Sequence, residues 1–142
     1  MRRMTNGITL LSCLILTACS AVTQGGLSEE FDRSVKAYNR MLRWHEIENA
    51  GMTYIDPNLR DQYLKQADSL KKRGLTVADY RIVTSTYLPE NKSGDVIAEF
   101  DYYIMPSNSV KTLSYRQEWV YQESSKSWIL KTGLPVFLSY PL

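Results

Sequence analysis

Residues 96–104, Val96-Ile97-Ala98-Glu99-Phe100-Asp101-Tyr102-Tyr103-Ile104, decide the fold. Every even position is apolar or aromatic, while Glu99 and Asp101 sit among Ile97 and Tyr103 on the odd ones. A period of two puts successive side chains on opposite faces of an extended backbone, so this is a strand with one buried face. Pro89-Glu90-Asn91-Lys92-Ser93-Gly94 precedes it and Pro106-Ser107-Asn108-Ser109 follows it. Turns of that composition make hairpins with the strands on either side, predicted over residues 77–88 and 110–122. The break Glu123-Ser124-Ser125-Lys126 leads to a fourth strand over 127–134 or beyond. Such short connections make the four strands an antiparallel meander.

Keeping the apolar residues together predicts the register. Folding at Pro106 sets Phe100 opposite Tyr115 and Val96 opposite Trp119 on the inner face, with Glu99 opposite Arg116 outside. Folding at residues 124–125 sets Trp119 by Leu130, Tyr121 by Trp128 and Glu118 by Lys131. Aromatic pairs on one face and opposite charges on the other suit a half-buried sheet. A first-strand register with Arg81 against Asp101 extends the charged ladder but turns Val83 and Tyr87 outward.

Upstream the period changes. Leu27, Phe31, Val35, Tyr38 and Leu42 recur at spacings of three and four, the buried stripe of a helix. Ser28 is its predicted N-cap, with Glu29, Glu30 and Asp32 in the first turn, where carboxylates favour the helix dipole. The pattern continues through Trp44, His45 and Ile47 to Gly51 as a bent or separate short helix. A further helix opens at Asp56-Pro57 and buries Leu59, Tyr63, Ala67 and Leu70. Lys71, Lys72 and Arg73 fall in its last turn, where cations favour the dipole, and Gly74 supplies a left-handed exit. The fold class is therefore α+β: N-terminal helices packed on a curved four-stranded antiparallel meander, one domain over residues 27–142.

Residues 1–26 have another character. Arg2 and Arg3 precede an apolar run from Ile8 to Leu16, which closes on Leu16-Thr17-Ala18-Cys19. A basic start, a short apolar stretch and small residues at a cleavage point make a secretory signal. A membrane span needs about 20 predominantly apolar residues, more than this run offers. Ala18 also suits an ordinary signal peptidase. Leu16-Thr17-Ala18-Cys19 resembles the lipobox of bacterial lipoproteins. That resemblance implies cleavage before Cys19, a lipid on the Cys19 sulfur and acylation of the new amino terminus. Ser20 rather than Asp after the cysteine implies outer-membrane sorting, facing the periplasm, in a Gram-negative cell. Residues 1–18 are then signal peptide and 19–26 a flexible tether.

The 142 residues are 44% hydrophobic and 23% charged, an ordinary globular balance. The formal charge is +2, and loss of Arg2 and Arg3 with the signal leaves the mature chain near neutral. No clustered basic footprint points to nucleic acid. Of the 2 cysteines, Cys13 falls in the signal and Cys19 at the lipidation position, which removes thiol redox chemistry from the domain. The single His45 leaves no multi-histidine metal site, and no cofactor motif is present.

The long helix through Tyr38 and Trp44, the Asp56-Pro57 opening, and the ending Gln117-x-Trp119, Trp128-x-Leu130 and Pro135 resemble the NTF2-like, cystatin-like α+β fold. The likeness covers essentially the whole mature chain. It implies a sheet wrapped around the helices into a cone whose open end can form a pocket. Members include dehydratases, isomerases, cyclases, adaptors and non-catalytic modules, so fold alone selects no function. The enzymes place an Asp or His base, often with a Tyr donor, inside the cone. Here the predicted inward residues, from Val96 to Leu130, include no carboxylate or histidine, and Glu99 and Asp101 face outward. His45, three residues after Leu42, is the candidate base, with Tyr102 or Tyr115 as donor. Its alternative role is a histidine hydrogen-bonded to backbone at a helix bend. Tyr38, His45, Tyr102, Tyr115 and Trp119 are the candidate pocket lining, although aromatics equally fill sheet-on-helix cores.

The expected function is a lipid-anchored cell-envelope protein whose domain binds a protein partner or small apolar ligand without catalysis. One alternative is a small-molecule lyase or isomerase using His45. Another is a structural module forming a homodimer through the outer sheet face at Ile97, Tyr103 and Met105.

Overall fold

The computed structural model describes residues 18–137, with side chains from residue 25 onward. Three helices, α1 (Ala18–Arg43), α2 (Ile47–Tyr54) and α3 (Pro57–Lys72), pack on a sheet of four strands. The strands are β1 (Leu75–Leu88), β2 (Ser93–Ile104), β3 (Lys111–Gln122) and β4 (Ser127–Leu130), adjacent in that order and antiparallel throughout. The fold is α+β, an open meander with its helices on one face.

The helical stripe buries as its spacing requires: Phe31, Val35, Tyr38 and Leu42 lie in the core. Asp56 caps α3, its Oδ1 accepting from the Asn58 N–H at 2.9 Å, and Gly74 leaves the helix at φ 75°. From β2, Val96, Ala98, Phe100, Tyr102 and Ile104 all face the same core.

Helix α1 begins earlier than expected. It is helical from Ala18, so Ser28 is an interior residue rather than the N-cap, and the stretch 19–26 read as a tether lies within the helix. A Gly in a helix interior costs about 1 kcal/mol relative to Ala, and Gly25 and Gly26 face open space, so nothing packed against them obstructs the helix. The stretch 1–18, expected to be a signal peptide, lies outside the described residues apart from Ala18.

The β2–β3 register differs from expectation by two residues: Phe100 faces Leu113, Ala98 faces Tyr115 and Val96 faces Gln117. A slide of two preserves the face of every side chain, so alternation alone does not distinguish the two registers. β1 likewise sets Arg81 opposite Glu99, with two bulges, at Ala78 and Val83. The second bulge returns Tyr87 to the inner side, against Phe31 and Trp128, while Val83 stays exposed. The β3–β4 register is as expected, with Trp119 opposite Leu130 and Tyr121 opposite Trp128.

β4 ends at Leu130 rather than continuing to 134. Gly133 and Pro135 disfavour a regular strand there, and the chain turns inward so that Leu134 and Phe137 join the core. The Phe137 ring lies 4.9 Å from that of Tyr102 and 6.0 Å from that of Phe100.

Candidate functional site

The concave side of the sheet meets α1 and α2 in a cluster of aromatic rings. Tyr38, Tyr54 and Trp119 form an edge-on triangle with centroids 5.8–6.2 Å apart. Of the five expected pocket residues, Tyr38, Tyr102, Tyr115 and Trp119 are all buried. They occupy the interior that the helical stripe predicts for Tyr38 and the strand alternation predicts for the other three.

His45 is placed elsewhere. It sits exposed between α1 and α2 in the left-handed region, φ 64°, its N–H donating to the Leu42 carbonyl at 3.4 Å. The helix ends before the stripe can carry the histidine inward, so the structure does not bring His45 together with the buried Tyr102 and Tyr115.

Hydroxyl groups gather around Tyr38. Its Oη lies 3.5 Å from that of Tyr63, and Tyr115 donates to the Gly133 carbonyl. Burial raises the Tyr38 pKa well above the ordinary tyrosine value, and the neighbouring Tyr115 and Tyr63 phenols raise it further. Burial pushes Tyr63 and Tyr115 up as well. All three are therefore neutral near pH 7 and serve as hydrogen-bond partners, not as bases.

Asn39 is the interior polar residue that the sequence reading missed. It and Gln117 are fully buried and exchange two hydrogen bonds: Asn39 Nδ2 to Gln117 Oε1 at 3.2 Å, and Gln117 Nε2 to Asn39 Oδ1 at 2.7 Å. Asn39 also donates to the Val35 carbonyl, and Trp119 Nε1 donates to Gln117 Oε1. The available signal was the spacing of Asn39 from Val35 and Leu42, four before and three after, on the flank of the buried stripe.

Asp56 is the buried carboxylate. It accepts from Lys131 as well as from the Asn58 N–H, and these bonds hold its pKa below the usual carboxylate range. Beside it runs a groove of about 260 Å³ bordered by Pro57, Tyr121, Ile129 and Lys131. A second groove of about 190 Å³ lies between the end of α3, at Leu70 and the following Arg73, and the Leu134–Phe137 segment. None of the five expected pocket residues lines either groove.

The outer face carries the charges. Arg81 pairs with Glu99 at 2.6 Å and Asp101 at 3.3 Å, and Arg116 pairs with Asp95 at 3.0 Å. Ile97 and Val83 are exposed among them. Among the described residues no group of three His, Cys, Asp or Glu side chains is placed to hold a metal ion. No helix among the described residues is long and apolar enough to cross a membrane.

This architecture defines a helix-on-meander α+β domain with an aromatic interior. No family model matches the chain, and no curated protein matches it. Among solved structures it is similar to the intermembrane space region of the chloroplast protein ARC6. The TM-score is 0.50 and the identity 14%, over 73% of this chain and 92% of that one. The likeness is one of fold.

Proposed function

We propose that this chain is a lipid-anchored protein of the bacterial cell envelope whose domain binds a protein partner without catalysis. The anchor reading rests on the Leu16-Thr17-Ala18-Cys19 resemblance, with the lipid on Cys19. The binding reading is carried by the pairing of Asn39, Gln117 and Asp56, the buried polar residues of the interior: the two amides with each other, and Asp56 with the exposed Lys131. A general base must reach substrate with a pKa near the working pH, whereas the three central phenols are driven the other way by burial. Groups committed to one another support a domain that works through its surface.

The position of α1 bears on the anchor. Its 26 residues span about 39 Å at 1.5 Å per residue. Helix from Ala18 onward would hold the domain close above a lipid on Cys19 and raise its effective concentration at the membrane. The test is labelling with radioactive palmitate in the producing bacterium. Label and membrane fractionation are expected for the full chain and lost in Cys19→Ala. An unlabelled wild-type chain, or label persisting in the variant, would refute the anchor.

A further inference from the structure

The two edges of the sheet are treated differently. β1 carries two bulges, and Arg43 Nη1 donates to its Val77 carbonyl at 3.1 Å, devices that blunt an edge. β3 has 12 residues with an unbroken register to β2, yet β4 pairs with it only over Trp119–Gln122. One residue further, the Glu118 carbonyl accepts from the Lys131 N–H at 2.8 Å and the Glu118 N–H donates to Thr132 Oγ1 at 2.9 Å. The backbone of Glu118 therefore points away from β2.

Alternation in an antiparallel ladder then directs the N–H and C=O groups of Arg116, Ser114 and Thr112 the same way. All three residues are exposed. Their longer side chains do not cover the edge: Arg116 is drawn across the sheet to Asp95, and Thr112 donates to Asp101. Among the described residues a row of outward donors and acceptors remains, with the inward side chains Leu113 and Tyr115 between them.

We infer that the β3 edge from Thr112 to Arg116 is a docking site for an extended segment of a partner protein, added to the sheet as a further strand. The recognising chemistry is main-chain hydrogen bonding at alternate residues. Apolar side chains of the added strand would lie on the side of Leu113 and Tyr115, and polar ones beside Ser114 and Arg116. A second copy of this chain is the weaker occupant. The window is only five residues long, closed beyond Arg116 by Lys131 and Thr132, far short of the area a stable dimer buries. This inference rests on the binding reading above and names its surface.

The test uses the full chain, in detergent, with a blocked alternating Thr/Val peptide as probe, followed by amide NMR and hydrogen exchange. At about 1 mM peptide, a concentration suited to weak strand addition, the N–H signals of Thr112, Ser114 and Arg116 should shift and exchange more slowly. Leu113 and Tyr115, whose N–H groups face β2, serve as internal references for exchange. Ser114→Pro, which removes a donor outside the β2 ladder, should weaken binding at least about tenfold, the order expected when edge hydrogen bonds are lost. N-methylation of the peptide should do the same with the protein unchanged, so a folding defect in the variant does not decide the outcome. The Cys19→Ala chain should bind equally, which separates this site from the anchor reading. Shifts confined to other residues, binding indifferent to N-methylation, or slowed exchange at the edge that grows with protein concentration without peptide would each overturn the assignment.

Discussion

Asn39 on α1 and Gln117 on β3 face each other in the middle of the core and exchange two hydrogen bonds. Each amide satisfies the other where water does not reach, and Trp119 Nε1 adds a third bond to Gln117 Oε1. The pair ties the first helix to the third strand at one depth and one register. A slide of β3 by two residues would move Gln117 away from its partner and bury both amides unmatched.

Replacing either amide alone should therefore be costly. Asn39→Leu or Gln117→Leu leaves the partner's polar atoms buried without a match, worth about 1–3 kcal/mol beyond any packing change. The double variant Asn39→Leu/Gln117→Leu should be less destabilised than the sum of the singles. Urea denaturation of all four proteins measures the coupling, and strict additivity would mean that the pair is not a unit.

Gly94 and Gly51 mark close approaches. A Cβ on Gly94 would fall 2.3 Å from the Phe31 ring, and one on Gly51 would fall 2.4 Å from the Tyr63 ring. Gly94→Ala and Gly51→Ala should each cost about 1–3 kcal/mol through overpacking. Adding Phe31→Leu to Gly94→Ala should recover part of the first loss. Thermal melts of single and double variants would show whether it does.

At high pH the buried phenols should unfold the domain. Tyr38, Tyr63 and Tyr115 have folded-state pKa values above their ordinary value of 10.0. The folded state then holds protons that the unfolded state releases, so stability is intact below pH 10 and falls as pH rises beyond it. Tyrosinate absorbance from Tyr38, Tyr63 and Tyr115 should appear only together with loss of circular dichroism. A single non-cooperative titration of all tyrosines would contradict the arrangement.

At low pH the sensitive group is Asp56. Its pKa is held below the ordinary 3.8, first by the Lys131 bond and then by the Asn58 N–H. The stabilisation is present above that value and is lost as pH falls through the folded-state pKa. Asp56→Asn keeps a capping side chain but loses the charge, so its stability should depend less on pH below about pH 4. Denaturation midpoints compared at pH 6 and in acid would test this, and parallel pH profiles would refute it.

Much of the fold was legible because burial imposes a period. Phe31, Val35, Tyr38 and Leu42 had to share a helix face, and Val96 through Ile104 a strand face, whatever the tertiary detail. Registers were less legible, since a slide of two keeps the faces and depends on partners such as Asn39 that hydropathy marks as surface. The bulges at Ala78 and Val83 left no compositional mark, so the inward turn of Tyr87 could not be foreseen. His45 fitted the stripe by spacing, but that spacing holds only while α1 continues, and α1 stops at Arg43. Tyr38, Tyr102, Tyr115 and Trp119 reached the interior for the same periodic reason, and what they do there is pack and hydrogen-bond.

The central claim is that this interior is filled by its own side chains and that the domain acts from its surface. The most direct measurement is titration of the full chain with small apolar and aromatic compounds, read by NMR at the rings of Tyr38, Tyr102, Tyr115 and Trp119. The account predicts unchanged ring signals at concentrations that saturate ordinary pocket sites. Saturable shifts confined to those four rings would show an open cone and contradict it.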